Sequence, residues 1–345
     1  MKKLILFTLF LSLNCLAIQR PRVLFLSPDP KDTTSEFWQT LYSNLNQSAK
    51  DLGVNLEIVY TDSHHTLYEE AIEKILKRSK ENLPEYFLGL PPYRQHKVQM
   101  LKRFEELGIK VFFVNMAIDS KHRKEIGFPR EKYKNWIGHF YPDDYSAGAL
   151  ITEEMAKACK VNRNIVAITG NHLSVGSNLR EKAFKDISLK RKLKLQQIFS
   201  ANWERKNVEK MIPHIESRYP DTCGFVVASD EMAEGILNKA KKIYHVCGVD
   251  WTRSALNLIK SGQFLCSAGG HFLEPAFALV TIFDYHNGLD FKDDLGVTYK
   301  TPFHLATKQN IESILKGFSN QQVKTYKSFS KFYSKKKHYN FQLVQ

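Results

Sequence analysis

Short runs of aliphatic, β-branched and aromatic residues alternate with longer amphipathic runs along nearly the whole chain. The strand candidates are VLFLS (23–27), NLEIVY (55–60), EYFLGL (85–90), KVFFVN (110–115) and NWIGHF (135–140), then NIVAIT (164–169), LQQIFS (195–200), GFVVAS (224–229), YHVCGV (244–249) and FLCSAG (264–269). Helical patterns lie between them. In EFWQTLYSNLNQSAKDLG, residues Phe37, Leu41, Leu45, Ala49 and Leu52 fall at three-to-four spacing, and Gly53 closes the run. Strand and helix in strict turn imply parallel sheets covered on both faces. Ten such strands exceed one ordinary doubly wound sheet. The expected fold class is therefore α/β, with two Rossmann-like lobes of about five strands each. After residue 270 come one more helix pattern, a loop, the strand-like TPFHLAT and another helix. A tail that long needs a surface to pack on, so about three hinge crossovers are expected. The expected division is 18–141 plus 271–303 in a first lobe and 142–270 plus 304–345 in a second.

The first seventeen residues read as a cleavable secretory signal peptide. Lys2 and Lys3 precede an apolar run, Leu4 to Leu13, that is short for a bilayer span, and Ala17 offers a small residue before the cut. Lipidation at Cys15 is the weaker reading, because Asn14 is large and polar for the position before a lipidated cysteine. The expected location is the periplasm, with a soluble mature chain expected to be a monomer. The formal charge of +14 is dispersed over KRSK, KHRK, LKRKLK and SKKKH. In an exported protein that describes a solvated basic surface, with attraction to anionic lipid or an acidic partner as the alternative, and no nucleic-acid partner is expected. An oxidising compartment permits disulfides among Cys159, Cys223, Cys247 and Cys266 without requiring them. Cys247 and Cys266 sit inside apolar strand runs and read as small buried side chains. No CxxC spacing occurs and the adjacent His64 and His65 lack a partner at ligand spacing, so no metal and no cofactor are expected. GNHLSVGSN is neither a P-loop nor GxGxxG, and GxSxG and HExxH are absent.

In open α/β sheets ligands bind beyond the carboxyl ends of the strands. The residues found there mix carboxylates and amides (Asn115, Asp143, Asn178, Asp230, Asp250), a guanidinium (Arg180) and rings (Trp38, Trp203, Trp251, His271). Sugars call for this mixture: planar polar groups satisfy the hydroxyls and aromatic faces take the CH surface. Each residue also has a structural alternative. Asp230 reads as an N-cap with Ser229 as competitor, Asp250 as a loop aspartate, and Arg180 as half of an ion pair within one lobe. Asn178, nearer the strand end, reads as the better ligand candidate of that segment. Asp143 and Asp144 read as caps or first-turn charges. Trp203 is awkward to bury within one lobe, and His271 reads as hinge or ligand. Phe37 fits the core stripe of its helix, whereas Trp38 points off it, toward the strand ends.

SEFW, PDDYSAG, LREKAF, SDEMAEG, GVDW and GGHF, in this order and spacing, resemble the ribose/galactose-type (type I) periplasmic sugar-binding proteins across roughly 22–305. The resemblance implies stacking roles for Phe37, Trp38 and Trp203. It implies polar ligand contacts for Ser35, Asn115, Asn178, Ser229 and Asp250, with Gly270 or His271 at the last position. Three positions depart from the pattern. Asn115-Met116 stands for an Asp-Arg pair, Asn178 for an arginine, and Ser229 for an asparagine, which points away from ribose or galactose themselves. The repressors of this fold carry an N-terminal helix-turn-helix, where this chain has an export signal. The expectation is a binding protein without catalysis, closing by hinge motion on a carbohydrate. Its expected membrane partner is an ABC permease, or alternatively a sensor kinase or cyclase.

Overall fold

The computed structural model describes residues 18–62, 65–92, 97–321 and 325–341; the expected leader 1–17 with Cys15, His64 and the side chain of His65 lie outside the described residues. Two sheets form. The first takes β1 (Arg22–Ser27), β2 (Asn55–Tyr60), β3 (Tyr86–Gly89), β4 (Lys110–Phe113), β5 (Trp136–Pro142) and β11 (Thr298–Thr301), ordered β11-β5-β4-β3-β1-β2. The second takes β6 (Asn164–Thr169), β7 (Lys194–Ser200), β8 (Gly224–Val227), β9 (His245–Asp250), β10 (Cys266–Gly269) and β12 (His304–Thr307), ordered β12-β10-β9-β8-β6-β7. The described pairings are parallel except β10–β12. All ten candidate runs are strands. The eleventh, TYKT, is a half-exposed edge strand with no apolar run to betray it.

Helices cover both faces, as parallel sheets require. On the first sheet α1 (Glu36–Leu52) and α10 (Glu274–His286) lie on one face, and α2 (His65–Leu76), α3 (Lys97–Glu106) and α4 (Ser120–Ile126) on the other. On the second sheet α5 (Asp144–Ala158) and α6 (Val175–Lys190) oppose α7 (Arg205–Arg218), α8 (Asp230–Lys239) and α9 (Arg253–Ser261). Ser35 caps α1, and Gly53, left-handed at φ 73°, ends it. α5 and α6 approach so closely that a Cβ on Gly148 would lie 2.7 Å from the Arg180 carbonyl oxygen. One apolar cluster runs from α1 and α10 into α7, α8 and α9, so the lobes share a continuous seam.

The tail departs from the expected division. β12 and α11 (Ile311–Gln321) pack on the second lobe, where Lys260 pairs with Glu312 at 3.0 Å. Residues 326–341 return to the first lobe. The Tyr326 amide donates to Asp51 (2.7 Å), the Ser330 hydroxyl to Asp284 (2.5 Å) and the Tyr339 amide to Asp294 (2.8 Å). Phe341 stacks on Phe277 at 4.5 Å. The chain thus crosses between lobes a fourth time. Aromatic residues in an otherwise basic tail supply the apolar area that holds it there.

The structure decides the cysteine pairing that the sequence left open. Cys247 and Cys266 are buried, as read, but they face each other in register on β9 and β10 and are bonded. Cys159, at the end of α5, is bonded to Cys223 before β8. Both bridges stitch the second lobe. Loop-closure entropy scales with the residues enclosed, here separations of 64 and 19. Removing Cys159–Cys223 should cost about 4 kcal/mol and removing Cys247–Cys266 about 3 kcal/mol. Urea melts of the two paired Cys→Ala variants should rank in that order, and thiol titration of the unfolded native protein should find none of these four free.

His139 on β5 is fully buried. Its Nε2–H donates to the Met116 carbonyl (2.9 Å), and Nδ1 accepts from Arg123 (3.1 Å), which sets the neutral tautomer and pins the turn after β4. Burial, aided by Arg123, lowers its pKa to about 3. The folded state therefore binds fewer protons than the unfolded one. This contribution is intact above the unfolded value near pH 6.5 and is lost as pH falls toward 3. His139→Gln keeps a donor and an acceptor without the titration. Its urea midpoint should fall less between pH 6.5 and 4 than that of the native protein.

Candidate ligand-binding site at the strand ends

The loops that follow β1, β4, β6, β7, β9 and β10 meet between the lobes, together with the 302–303 crossing. Phe37, in the first turn of α1, stacks on His271 at 4.8 Å. His271 packs on Phe303 at 4.6 Å and brings Nε2 within 3.6 Å of Asp250. Asp250 lies 3.7 Å from Arg180, whose guanidinium sits 5.8 Å from the Trp203 ring and 5.7 Å from Phe303. A Cβ on Gly170 would fall 2.1 Å from the Trp203 ring, so the indole lies over the end of β6 only because that residue is glycine.

Backbone strain marks the same place. Among the described residues eight non-glycine positions have positive φ, and five of them are Asn115, Asn202, Trp203, Asp250 and Trp251. Each follows or ends a strand that points at the junction. Such conformations cost about 1–3 kcal/mol each and persist where surrounding contacts over-determine them.

Arg180 is the only cation buried in this region among the described residues. Its fork donates to Asp144 from Nε (2.9 Å) and Nη2 (2.8 Å), and to the Ala228 carbonyl from Nη1 (2.5 Å). Burial raises the Asp144 carboxyl in spite of that pairing. Burial also raises Asp250 well above the usual carboxylate range, against the pull of Arg180. His271 is pushed well below its ordinary value by burial and then by Arg180, so it stands neutral. Its Nδ1 and the Asn115 side-chain oxygen are buried without a hydrogen-bond partner. Buried polar atoms are ordinarily paired, so these two stand out as unsatisfied.

Other candidates are engaged elsewhere. Asn178 is exposed and its amide donates to the His172 carbonyl (2.9 Å). Asp143 caps α5 and pairs with Lys300 at 3.1 Å. Ser229, not Asp230, caps α8. Asp230 is fully buried, held by the Ser267 hydroxyl (2.8 Å) and the Thr252 amide (3.0 Å), and burial raises it to about 7. Trp251 packs on Gly269 and donates to the Ser267 carbonyl. The two α1 aromatics share the work differently from the stripe argument. Phe37 reaches His271, whereas Trp38 stacks on Tyr42 and packs against both first-lobe clusters. Ser35 faces Glu231 of α8, and Glu36 accepts from the Ser254 amide at the start of α9 (3.1 Å), so helix termini of opposite lobes bind each other's carboxylates.

Sequence reasoning missed two members of the site. Phe303 was visible only as one residue of TPFHLAT. Glu274 opens α10 and is 1% exposed; its Oε1 accepts from the Asn115 amide at 2.8 Å. The available signal was one carboxylate at the head of an otherwise apolar EPAFALVTIF.

A family model described as a periplasmic binding protein domain matches residues 29–271, most of the chain. A D-ribose/D-allose-binding protein from Pseudomonas aeruginosa is 21% identical over 306 residues, covering 86% of this chain and 93% of its own. Among solved structures, a periplasmic sugar-binding protein from Pseudomonas fluorescens superposes with a TM-score of 0.81 at 23% identity, covering 93% of this chain and 97% of its own. An ABC transporter periplasmic solute-binding protein from Actinobacillus succinogenes with bound D-allose gives a TM-score of 0.72 at 16% identity over 85% and 99%. With two doubly wound lobes meeting at their strand ends, this chain belongs to the periplasmic binding protein domain family and has its type I fold.

Proposed function

We propose that the protein is an exported binding protein that takes a sugar or sugar-like small molecule between its lobes, without turnover, and presents it to a membrane ABC importer. The observation that carries this reading is the pairing of opposed rings with open polar atoms at strained strand ends. Phe37, His271, Phe303 and Trp203 supply flat faces, while Asp250, Arg180, Asn115 and His271 supply in-plane donors and acceptors. A pyranose or furanose needs both. The names of the relatives support the ligand class and the ABC partner. Closure on ligand would strengthen the cross-lobe contacts at Glu36 and Glu231, giving the closed form its differential stability.

A thermal-shift screen of monosaccharides and polyols on the mature protein tests the ligand class. A binder present at 100 times its dissociation constant should add about 2.7 kcal/mol. Trp203→Ala and Phe37→Ala should remove the shift while leaving a cooperative melt, and normal binding by both variants would place the site elsewhere. Loss of uptake of the identified sugar on deletion of the gene supports the importer; loss of a sugar response with uptake intact would assign the protein to a membrane sensor instead.

Arg180→Met should behave differently from the ring variants. It leaves Asp144 and Asp250 buried without their cation, and should cost about 3–5 kcal/mol of stability before any ligand is added, measured by urea unfolding.

A further inference from the structure

At the floor of the cleft, acidic side chains outnumber basic ones. Four carboxylates are buried there, Asp144, Asp230, Asp250 and Glu274, against the single guanidinium of Arg180. Asp144 holds that guanidinium, and Asp250 lies at its edge. Asp230 is satisfied within the second lobe by Ser267 and the Thr252 amide. His271 is neutral and adds no cation.

Glu274 is the carboxylate left over. Its Oε1 accepts one peptide N–H, from Asn115, and its Oε2 has no hydrogen-bond partner. The Thr301 hydroxyl eases the charge of this carboxylate but makes no hydrogen bond of ordinary geometry with it. The residue beside Asn115 is Met116, apolar and buried, so no side-chain cation arrives from that turn. The Asn115 side-chain oxygen is open as well. This corner of the cleft therefore presents an open amide oxygen and a carboxyl that ionises when a cation meets it, while the Arg180–Asp250–His271 corner offers both donors and acceptors.

A buried carboxylate with one hydrogen bond costs several kcal/mol unless it is protonated or meets a cation. In the empty cleft the first solution holds: burial, with Asp144 adding, raises the Glu274 carboxyl to about 8. A metal ion is a poor second solution, because among the described residues no three histidine, cysteine or carboxylate side chains converge as metal ligands do. An ammonium fits. It carries three donors and no acceptor, and it brings the missing charge.

We propose that the cleft takes a protonated amino sugar or aminocyclitol, with its ammonium seated at the Glu274 carboxylate and the Asn115 side-chain oxygen and its hydroxyls directed to Arg180, Asp250 and His271. This rests on the sugar-binding reading above and narrows it.

The test compares D-glucosamine, D-galactosamine, D-mannosamine and 2-deoxystreptamine with D-glucose, D-galactose, D-mannose and the N-acetylated hexosamines, by thermal shift and calorimetry on the mature protein near pH 7. At least one free amine should bind about tenfold or more tightly than its neutral and acetylated counterparts. Glu274→Gln should erase that preference, with the unliganded melt serving as the folding control. Asn115→Asp, which tolerates the left-handed backbone, should widen it. Neutral sugars binding as tightly as the amines, or Glu274→Gln retaining the amine preference, would overturn the ammonium site and leave the sugar-binding reading standing. No response to any amine or neutral sugar in the set would overturn both.

Discussion

The buried fork of Arg180 joins more of this molecule than any other side chain of the cleft. It reaches Asp144 at the head of α5, the Ala228 carbonyl beyond β8 and the edge of Asp250 at the end of β9. Three separate strand ends are thereby held within 3.7 Å of one cation. A guanidinium suits this work because its donors lie in a fixed plane and its charge persists on burial. The close α5–α6 packing that places it depends on Gly148, whose missing Cβ lets the Arg180 backbone approach.

Around that fork the second lobe is rigid by construction. Two disulfides, the Asp230 bridge to Ser267 and Thr252, and the left-handed Asp250–Trp251 turn restrain its strand ends. The first lobe contributes fewer fixed polar groups. Its share is the ring of Phe37, the His139-pinned turn carrying Asn115, and Glu274 at the hinge. A pre-organised face opposed by one with fewer fixed groups suits the proposed closure on ligand, because ordering costs would then fall mainly on one side. The returning tail at 326–341 braces the first lobe on α1 and α10, away from the strand ends.

The strands were legible because central parallel strands are buried on both faces and must be apolar throughout; VLFLS and NIVAIT show this plainly. TYKT was not, because an edge strand needs only half a face of apolar contact. Asp250, Arg180, His271, Trp203 and Asn115 were reachable from the rule that ligands meet strand ends, whereas Phe37 fitted its helix's core stripe and was reachable only through the family resemblance. Asn178 followed from the same rule, but it lies two residues before Arg180, on the opposite side of the helix, and its side chain turns outward to the His172 carbonyl. Asp230 followed it too, yet its oxygens are bound within the second lobe. Phe303 and Glu274 follow no local rule, since their place in the site depends on how the chain recrosses the hinge.

By itself the sequence determined the two-lobed α/β architecture, because strand and helix periodicities are local and a parallel sheet leaves few ways to connect them. It also determined the pool of cleft residues, because topology assigns them to strand ends. Only the tertiary structure decided which of these are open and which are already bound. That choice turns on distances between groups far apart in the chain: Asp144 to Arg180, Glu274 to Asn115, Phe37 to His271 and Cys159 to Cys223. No periodicity encodes such distances; packing of the two lobes sets them.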